Sequence, residues 1–234
     1  MEARVAFGLD GCRGGWMVAS ALSEADAPKI QVLKTFKEAV QLIVTSQGLG
    51  CVDIPIGLVS STRRCDSEAR RMLGSPRASS VFTPPCREAL DATEAAGIRA
   101  LNLQWTGRSL SAQALGIIPK IREVDLVMTP ALQAHVREVH PEVIFAAMSS
   151  AGVGLREGKK SQAGRSTRLA MLPAVWSRVA ETSSFSKSIA APDDVIDSLA
   201  ALTVALKALS GAVRRLPAEL EDRDDRGLAM EMLY

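Results

Sequence analysis

The chain has 234 residues, of which 47% are hydrophobic, and its 28 basic and 26 acidic side chains give a formal net charge of +2. This length and apolar content are enough for a core of its own, so we expect a single domain over residues 1–234. Because the net charge is close to zero, the molecule as a whole has no strong electrostatic field that would attract nucleic acid or a membrane. Any such partner must bind to a local patch of charged side chains. The four cysteines form no CxxC pair, and we find no signal peptide or membrane-spanning run. We therefore expect a cytoplasmic protein with reduced thiols and no membrane partner.

A short apolar strand is the first predicted element. Val5 to Leu9 has the length and the β-branched and aromatic content of a buried strand. It ends on Asp10, and the chain then turns through glycines at positions 11, 14 and 15. Two interpretations stay open here. The strand projects the Asp10 carboxylate into a cleft, or Asp10 only closes the turn through an Asx-type hydrogen bond.

Two more strands, a helix and a fourth strand follow. Trp16 to Leu22 and Ile30 to Leu33 are predicted to pair antiparallel, because the intervals between these strands are short. Helical spacing over Phe36 to Val44 leads to a fourth strand, Cys51 to Leu58, which carries Asp53. A strand reached through a crossover helix usually lies parallel to its neighbour. The acids of the first and fourth strands would then share the sheet edge where ligands bind in α/β folds.

Residues from about 60 to 132 form a predicted helical insertion that is rich in arginine. Its first part carries six of them: Arg63, Arg64, Arg70, Arg71, Arg77 and Arg87. They belong to a solvated helix face with partial charge pairing, or they form a flank that binds phosphate. Further on, Pro119 must begin a new helix or kink the helix predicted over Ser111 to Val127.

A strand that begins at Val136 ends in the polar run His140-Pro141-Glu142, which opens a predicted helix over Val143 to Met148. His140 is a metal ligand or, as is more common, a side chain held by backbone hydrogen bonds. Glu142 is a candidate site acid, or it simply favours the helix dipole. A glycine-rich loop with a second basic patch spans residues 152–168 and is predicted to be mobile. One helix is then predicted from about residue 168 to residue 182.

The clearest helix in the sequence begins near Pro192 and ends at Gly211. Asp194 and Asp197 share one face of it, and alanines follow them along that face. Small residues let a helix pack close to a sheet, which would bring these acids near those of the strands. The alternative is that they only favour the helix dipole, although Asp197 lies beyond the first turn and gains little from it. Alternating apolar residues over 228–232 predict a last strand at a sheet edge.

Four carboxylates are thus predicted to meet: Asp10, Asp53, Asp194 and Asp197. We expect no basic side chain between them, so they would repel one another strongly. A hard divalent cation, Mg²⁺ or Mn²⁺, neutralises such a cluster. Two such ions about 4 Å apart can activate a water and stabilise a leaving oxygen, so the arrangement predicts phosphodiester hydrolysis.

Six motifs, distributed along the chain from Gly8 to Asp197, resemble those of one family, so the resemblance covers essentially the whole chain. They are Gly8-Leu-Asp10-Gly-Cys-Arg-Gly-Gly-Trp16, Val52-Asp53-Ile-Pro-Ile-Gly57, Arg64-Cys-Asp-Ser-Glu-Ala-Arg70, Ser79-Ser-Val-Phe-Thr-Pro84, Glu138-Val-His-Pro-Glu142 and Asp193-Asp194-Val-Ile-Asp197. The order of elements resembles the ribonuclease H-like fold. Within that superfamily the chain resembles the predicted nucleases catalogued as domain of unknown function 429.

The resemblance implies an α/β fold with a mixed five-stranded sheet, three strands antiparallel and two parallel, flanked by helices. By similarity to Holliday-junction resolvases and ribonuclease H, it implies a metal-dependent nuclease whose acids are Asp10, Asp53, Asp194 and Asp197. Glu142 is added as a candidate catalytic acid without a settled counterpart in those enzymes. The groups expected to hold phosphates are Arg13, Arg64, Arg70, Arg77, Lys160 and Arg168.

The expected partner is a nucleic acid or a small phosphoester. Two other functions stay open. A phosphotransferase or nucleotide-binding enzyme would use the glycines after Asp10 to approach a phosphate. In a non-catalytic binding or regulatory module, the acids would only cap helices and face solvent.

Overall fold

A five-stranded mixed sheet forms the centre of the computed structural model, which describes residues 4–75, 77–219 and 222–234. Its strands are β1 (Ala6–Cys12), β2 (Gly15–Ala21), β3 (Lys29–Leu33), β4 (Leu49–Val52) and β5 (Val136–Glu138). The spatial order is β3-β2-β1-β4-β5, with β1, β2 and β3 antiparallel and β4 parallel to both β1 and β5. The predicted α/β class and mixed sheet are confirmed, and this topology is consistent with a ribonuclease H-like fold.

Helices cover both faces of the sheet. In the described residues they are α1 (Phe36–Thr45), α2 (Arg64–Leu73), α3 (Ala95–Thr106), α4 (Ala112–Val127), α5 (Pro141–Met148), α6 (Gln162–Met171), α7 (Ala174–Thr182) and α8 (Pro192–Leu209), with short 3₁₀ turns at 78–80, 87–91 and 132–134. The predicted helical insertion after the fourth strand is confirmed, since α2, α3 and α4 all lie between β4 and β5. None of the helices in the described ranges is long and apolar enough to cross a membrane.

Side chains along β1 alternate between the two faces of the sheet, and this alternation determines which of the two cores each side chain joins. Phe7 and Leu9 face a core shared with α1 and α4. Ala6 faces a second core that is formed largely by α8. Because successive side chains of a strand point to opposite faces, Gly8 and Asp10 lie on the same face as Ala6. Asp10 is therefore directed to the side of the sheet that α8 covers.

Several predicted boundaries were wrong. β4 begins at Leu49 and ends at Val52, so Asp53 lies just beyond the strand. The single helix predicted over 168–182 is two helices, α6 and α7, with Pro173 between them. Pro119, in contrast, lies inside the continuous helix α4.

The C-terminal strand is shorter than the alternation of residues 228–232 predicted. It consists of β7 (Met232–Leu233), which pairs with β6 (Arg215–Leu216) in a separate two-stranded sheet. A single parallel bridge between Leu233 and Val139 joins it to the end of β5.

Candidate functional site

Asp10 and Asp53 are neighbours because β1 and β4 run parallel. The register pairs Leu9 with Val52, so each acid occupies the next position along its own strand. The amide of Asp53 donates a hydrogen bond of 3.0 Å to the carbonyl oxygen of Leu9, which holds the chain beside β1 where β4 has ended. Adjacent strands lie about 4.8 Å apart, so the two carboxylates leave the sheet side by side.

Helix α8 carries Asp197 to the same place because its backbone packs directly on β1. A Cβ atom at Gly8 would overlap the carbonyl oxygen of Ser198 and the amide nitrogen of Leu202, and would lie 2.8 Å from the Leu202 Cα. Only glycine at this position permits so close an approach. Asp197 directly precedes Ser198, so the contact fixes its carboxylate over the edge of the sheet.

The four predicted aspartates line one cavity of about 410 Å³. We call Asp10, Asp53, Asp194 and Asp197 the acid cluster. Asp10 is 7% exposed and Asp197 is 1% exposed, whereas Asp53 and Asp194 are half-buried. The insertion and the loop before α6 complete the walls, with Ser80, Phe82, Gln113, Ile117, Lys120 and Lys159. The cavity is thus built by the sheet, α8, the insertion and a loop together.

A lysine lies among these acids, and the expectation that no basic side chain would do so was wrong. The Nζ atom of Lys159 donates a hydrogen bond of 2.6 Å to Oδ2 of Asp197 and lies 3.8 Å from Oδ2 of Asp193. Burial alone would lower the pKa of Lys159, but the negative charges of Asp197, Asp10 and Asp53 outweigh it and raise the pKa. Lys159 is therefore a charged member of the site.

One lysine does not neutralise the cluster. Burial raises the pKa of Asp10 well above its usual range, and the charges of Asp53 and Asp197 raise it further. Burial also raises the pKa of Asp197 to about 6, although the Lys159 ammonium opposes it. The pKa values of Asp53 and Asp194 are raised as well, again chiefly by burial. These carboxylates are short of positive charge, which is the condition that favours a divalent cation.

The chemistry of the donor set suits such a cation, although the described acids of the cluster do not have three donor atoms within 4.8 Å of one another, as Cys65, Asp66 and Glu138 do. Oδ1 of Asp197 is buried and has no hydrogen-bond partner among the described residues, while Oδ2 bonds to Lys159. An unpartnered buried oxygen is destabilising unless something outside the chain satisfies it. The side chains of the acid cluster offer only oxygen ligands, which Mg²⁺ and Mn²⁺ prefer.

Asp194 has a second role as a helix cap. Its Oδ2 accepts a hydrogen bond of 2.7 Å from the amide of Ala191, at the N-terminus of α8. The capping interpretation thus accounts for one of the two oxygens of the Asp194 carboxylate. Arg13 is exposed, bonds to the carbonyl oxygen of Lys187, and its charge partly offsets the rise in the pKa of Asp194. Asp194 lines the cavity, whereas Arg13 lies outside its lining.

A second group of possible metal ligands belongs to the same cavity, which Asp66 and Glu138 also line. Donor atoms of Cys65, Asp66 and Glu138 all lie within 4.8 Å of one another, so their spacing could hold a metal ion. The buried guanidinium of Arg63 already lies among them, 2.5 Å from Glu138 Oε2 and 3.6 Å from Asp66 Oδ1. The amide of Ile56 donates to the same oxygen of Glu138. A resident cation therefore already compensates these acids.

Glu142 and Arg168, a predicted catalytic acid and a predicted phosphate-binding residue, form a buried ion pair. Nη2 of Arg168 donates to both carboxylate oxygens of Glu142, at 2.7 and 2.9 Å. Arg168 is fully buried, so it is not placed to hold a phosphate from solvent. Glu142 lines the cavity, but its charge is paired with that arginine. His140 contacts the amide of Glu142 and the carbonyl oxygen of Ser80, as the backbone-bonded alternative predicted.

The remaining predicted phosphate-binding residues are dispersed. Arg77 lines the cavity, but its guanidinium donates to the carbonyl oxygens of Leu155 and Arg156. Arg70 donates to Val81 and Thr83 and so holds the segment that follows α2. The half-exposed Arg64 lies near Glu68 and Asp222. Lys160 is exposed.

The glycine turn after Asp10 is used for packing. The amide of Gly14 donates a hydrogen bond of 2.7 Å to Ile189, and a Cβ atom there would lie 2.9 Å from the Ile189 side chain. Gly15 has a φ of +139° and packs against the backbone of Leu33 and Lys34. Gly14 and Gly15 are therefore occupied by packing, whereas Gly11 lines the cavity and stays available to the nucleotide-binding alternative.

A family model described as "Protein of unknown function (DUF429)" matches residues 8–222. The chain belongs to the DUF429 family. No curated protein and no solved structure matches it. The matched range contains every member of the acid cluster and Lys159.

Sequence reasoning missed two cations of this DUF429 site. Lys159 was recognised only as part of a basic loop, because nothing in the sequence distinguishes it from the adjacent Lys160. Lys120 lines the cavity from α4, where its Nζ lies 4.6 Å from the Trp16 ring centroid and donates to Gly15. Lys120 follows Pro119, but no local pattern connects it with the first strand.

Proposed function

We propose that this DUF429 protein is a metal-dependent phosphodiesterase of the nuclease type. One observation carries the proposal: acids from β1, from the end of β4 and from α8 line one cavity, in which a buried oxygen of Asp197 has no partner among the described residues. Asp10, Asp53 and Asp197 would hold Mg²⁺ or Mn²⁺, with Asp194 at the outer side. A divalent ion at such a site supplies a nucleophilic water at neutral pH and stabilises charge on the leaving oxygen.

The protein contributes position, charge and partial exclusion of water. The tight contact of α8 with β1 fixes the carboxylates before substrate binds, which avoids reorganisation during the reaction. Ile54, Ile117 and Phe82 form apolar parts of the cavity wall, where fewer waters compete with the substrate. Lys120 offers a positive charge at the same cavity for the non-bridging oxygens of a phosphodiester.

The proposed substrate is a nucleic acid or a small phosphoester. In either case the phosphodiester must enter the cavity, since Asp10 and Asp197 are nearly inaccessible from elsewhere. The exposed side chains of Arg13 and Lys160 would meet the parts of the substrate that remain outside.

A cleavage screen tests this proposal. Labelled single-stranded, duplex, hybrid and branched nucleic acids and a chromogenic phosphodiester are incubated with Mg²⁺, Mn²⁺ or a chelator. We expect metal-dependent cleavage that falls more than about 100-fold in Asp53→Asn, beyond what loss of an outer partner typically causes. Asp26→Asn changes an exposed aspartate and is the matched control, with activity retained. Failure to cleave any substrate, or equal cleavage by Asp53→Asn, would contradict the proposal.

A further inference from the structure

The loop between α5 and α6 carries a lysine into the acid cluster. Lys159 lines the cavity together with Asp10 and Asp53, and its Nζ lies 2.6 Å from Asp197 Oδ2. Its side chain is 36% exposed, whereas that of Asp197 is 1% exposed. The ammonium group therefore enters the site from the solvent side and reaches its most buried acid.

Two arginines hold this loop in place. Arg77 donates from Nε to the carbonyl oxygen of Leu155 at 2.7 Å and from Nη2 to that of Arg156 at 2.5 Å. Arg168 donates from Nη1 to the carbonyl oxygen of Glu157 at 3.1 Å. Because these bonds reach the three residues 155–157, the backbone just before Lys159 is fixed.

The ion pair of Glu142 with Arg168 has a role in this arrangement. Arg168 is fully buried and also donates to the carbonyl oxygen of Gly164, within α6. The Glu142 carboxylate compensates its charge and orients its guanidinium toward the loop. Glu142 and Arg168 are therefore positioning residues for the Lys159 loop, which explains their burial better than direct contact with a substrate does.

Close packing at Gly154 in the loop and at Gly164 in α6 supports the same conclusion. A Cβ atom at Gly154 would lie 2.5 Å from the Cβ of Arg77, and the Gly154 amide donates to the carbonyl oxygen of Leu73. Farther along, Gly164 packs on the Gly158 carbonyl group with no room for a side chain. The segment is thus packed against Leu73 and Arg77 at Gly154 and against α6 at Gly158.

We propose that Lys159 is a resident cation of the acid cluster, in the place of a second divalent ion, and that the site binds one Mg²⁺ or Mn²⁺. This inference rests on the proposed metal-dependent function. The Lys159 ammonium lies 2.6 Å from Oδ2 of Asp197, so this oxygen already has a cation as its partner. A second divalent ion bound at the same oxygen would lie against the ammonium group, and the two positive charges would repel each other. The other oxygen of Asp197, Oδ1, is buried and has no hydrogen-bond partner among the described residues, so it is the atom of this carboxylate left to bind the divalent ion.

The number of Mn²⁺ ions bound per chain tests the role of Lys159. Isothermal titration calorimetry is carried out on the wild type, Lys159→Met, Lys159→Arg and the matched control Lys160→Met, which changes the exposed neighbour. We expect one ion for the wild type, Lys160→Met and Lys159→Arg, and two for Lys159→Met. Two ions on the wild type, or one ion on Lys159→Met, would overturn the role of Lys159.

The outcomes separate this inference from the proposed function. Two ions on an active wild type would remove the role of Lys159 and leave the metal-dependent activity standing. Absence of Mn²⁺ binding in all four proteins would instead overturn the metal site itself. Far-UV circular dichroism shows whether Lys159→Met folds, and if it does not, the wild-type and Lys159→Arg counts decide: one ion supports the proposal and two overturn it.

Discussion

The surroundings of Asp197 provide the strongest argument for a bound cation at the site. Asp197 lies within the continuous buried run 195–205 of α8, where an apolar side chain would be expected, and one of its two oxygens has no partner among the described residues. A buried acid of this kind destabilises the metal-free fold unless it binds a proton or a cation. Its retention in the core is explained if a cation completes its coordination.

The raised pKa of Asp197, about 6, predicts how stability depends on pH in the absence of metal. The folded chain holds a proton that the unfolded chain has already lost, so this stabilisation is full below about pH 4 and disappears as the pH rises through about 6. With chelator present, we expect the free energy of unfolding in urea to fall by on the order of 2 kcal/mol between about pH 4 and pH 7.5. Saturating Mg²⁺ should restore it.

Asp197→Asn is the control for that pH dependence. Its decline should be smaller than that of the wild type, because the titrating group has been removed. Burial also raises the pKa of Glu138, to about 8, and the pKa values of Asp10, Asp53 and Asp194, so these groups can contribute to the decline. An identical decline in both proteins would assign the pH dependence to those other acids and contradict the role given to Asp197.

The contact between α8 and β1 is the element-level feature on which the site depends. We expect Gly8→Ala to destabilise the fold by about 3 kcal/mol, at the upper end for overpacking, because the methyl group meets rigid backbone. Gly116→Ala is the matched control, since a Cβ there has no neighbour within 4 Å and alanine favours a helix by up to about 1 kcal/mol. Urea unfolding measures both. Equal stability of the two variants would show that α8 does not require this approach.

Periodicity predicted most elements, and the errors have local causes. β1, β2 and α8 were found because alternation or helical spacing is clear and glycine or proline marks their ends. The start of β4 was missed because Gly50 resembles a helix stop, whereas the structure uses it to make room for Ile43, 2.5 Å from where a Cβ would lie. The break between α6 and α7 follows from Pro173, which cannot extend α6 because it has no amide hydrogen.

At the scale of the whole molecule, the site is assembled from segments that are distant in sequence. The strand acids and the late helix could be placed from the sequence, because parallel strands share an edge and small residues permit close packing. The ion-pair partners of the charged side chains could not be identified from the sequence. Arg168 and Lys160 look equivalent in a basic loop, yet one pairs with Glu142 in the core and the other is exposed. Such pairing is decided by tertiary packing, which no local pattern records.

Anomalous X-ray diffraction from crystals soaked in Mn²⁺ tests the central claim most directly, because it locates the ion without requiring a substrate. We predict one anomalous peak per chain, bounded by the carboxylates of Asp10, Asp53 and Asp197, with Lys159 still present beside it. A peak at Cys65, Asp66 and Glu138 instead, or no peak at the acid cluster under saturating Mn²⁺, would contradict the account.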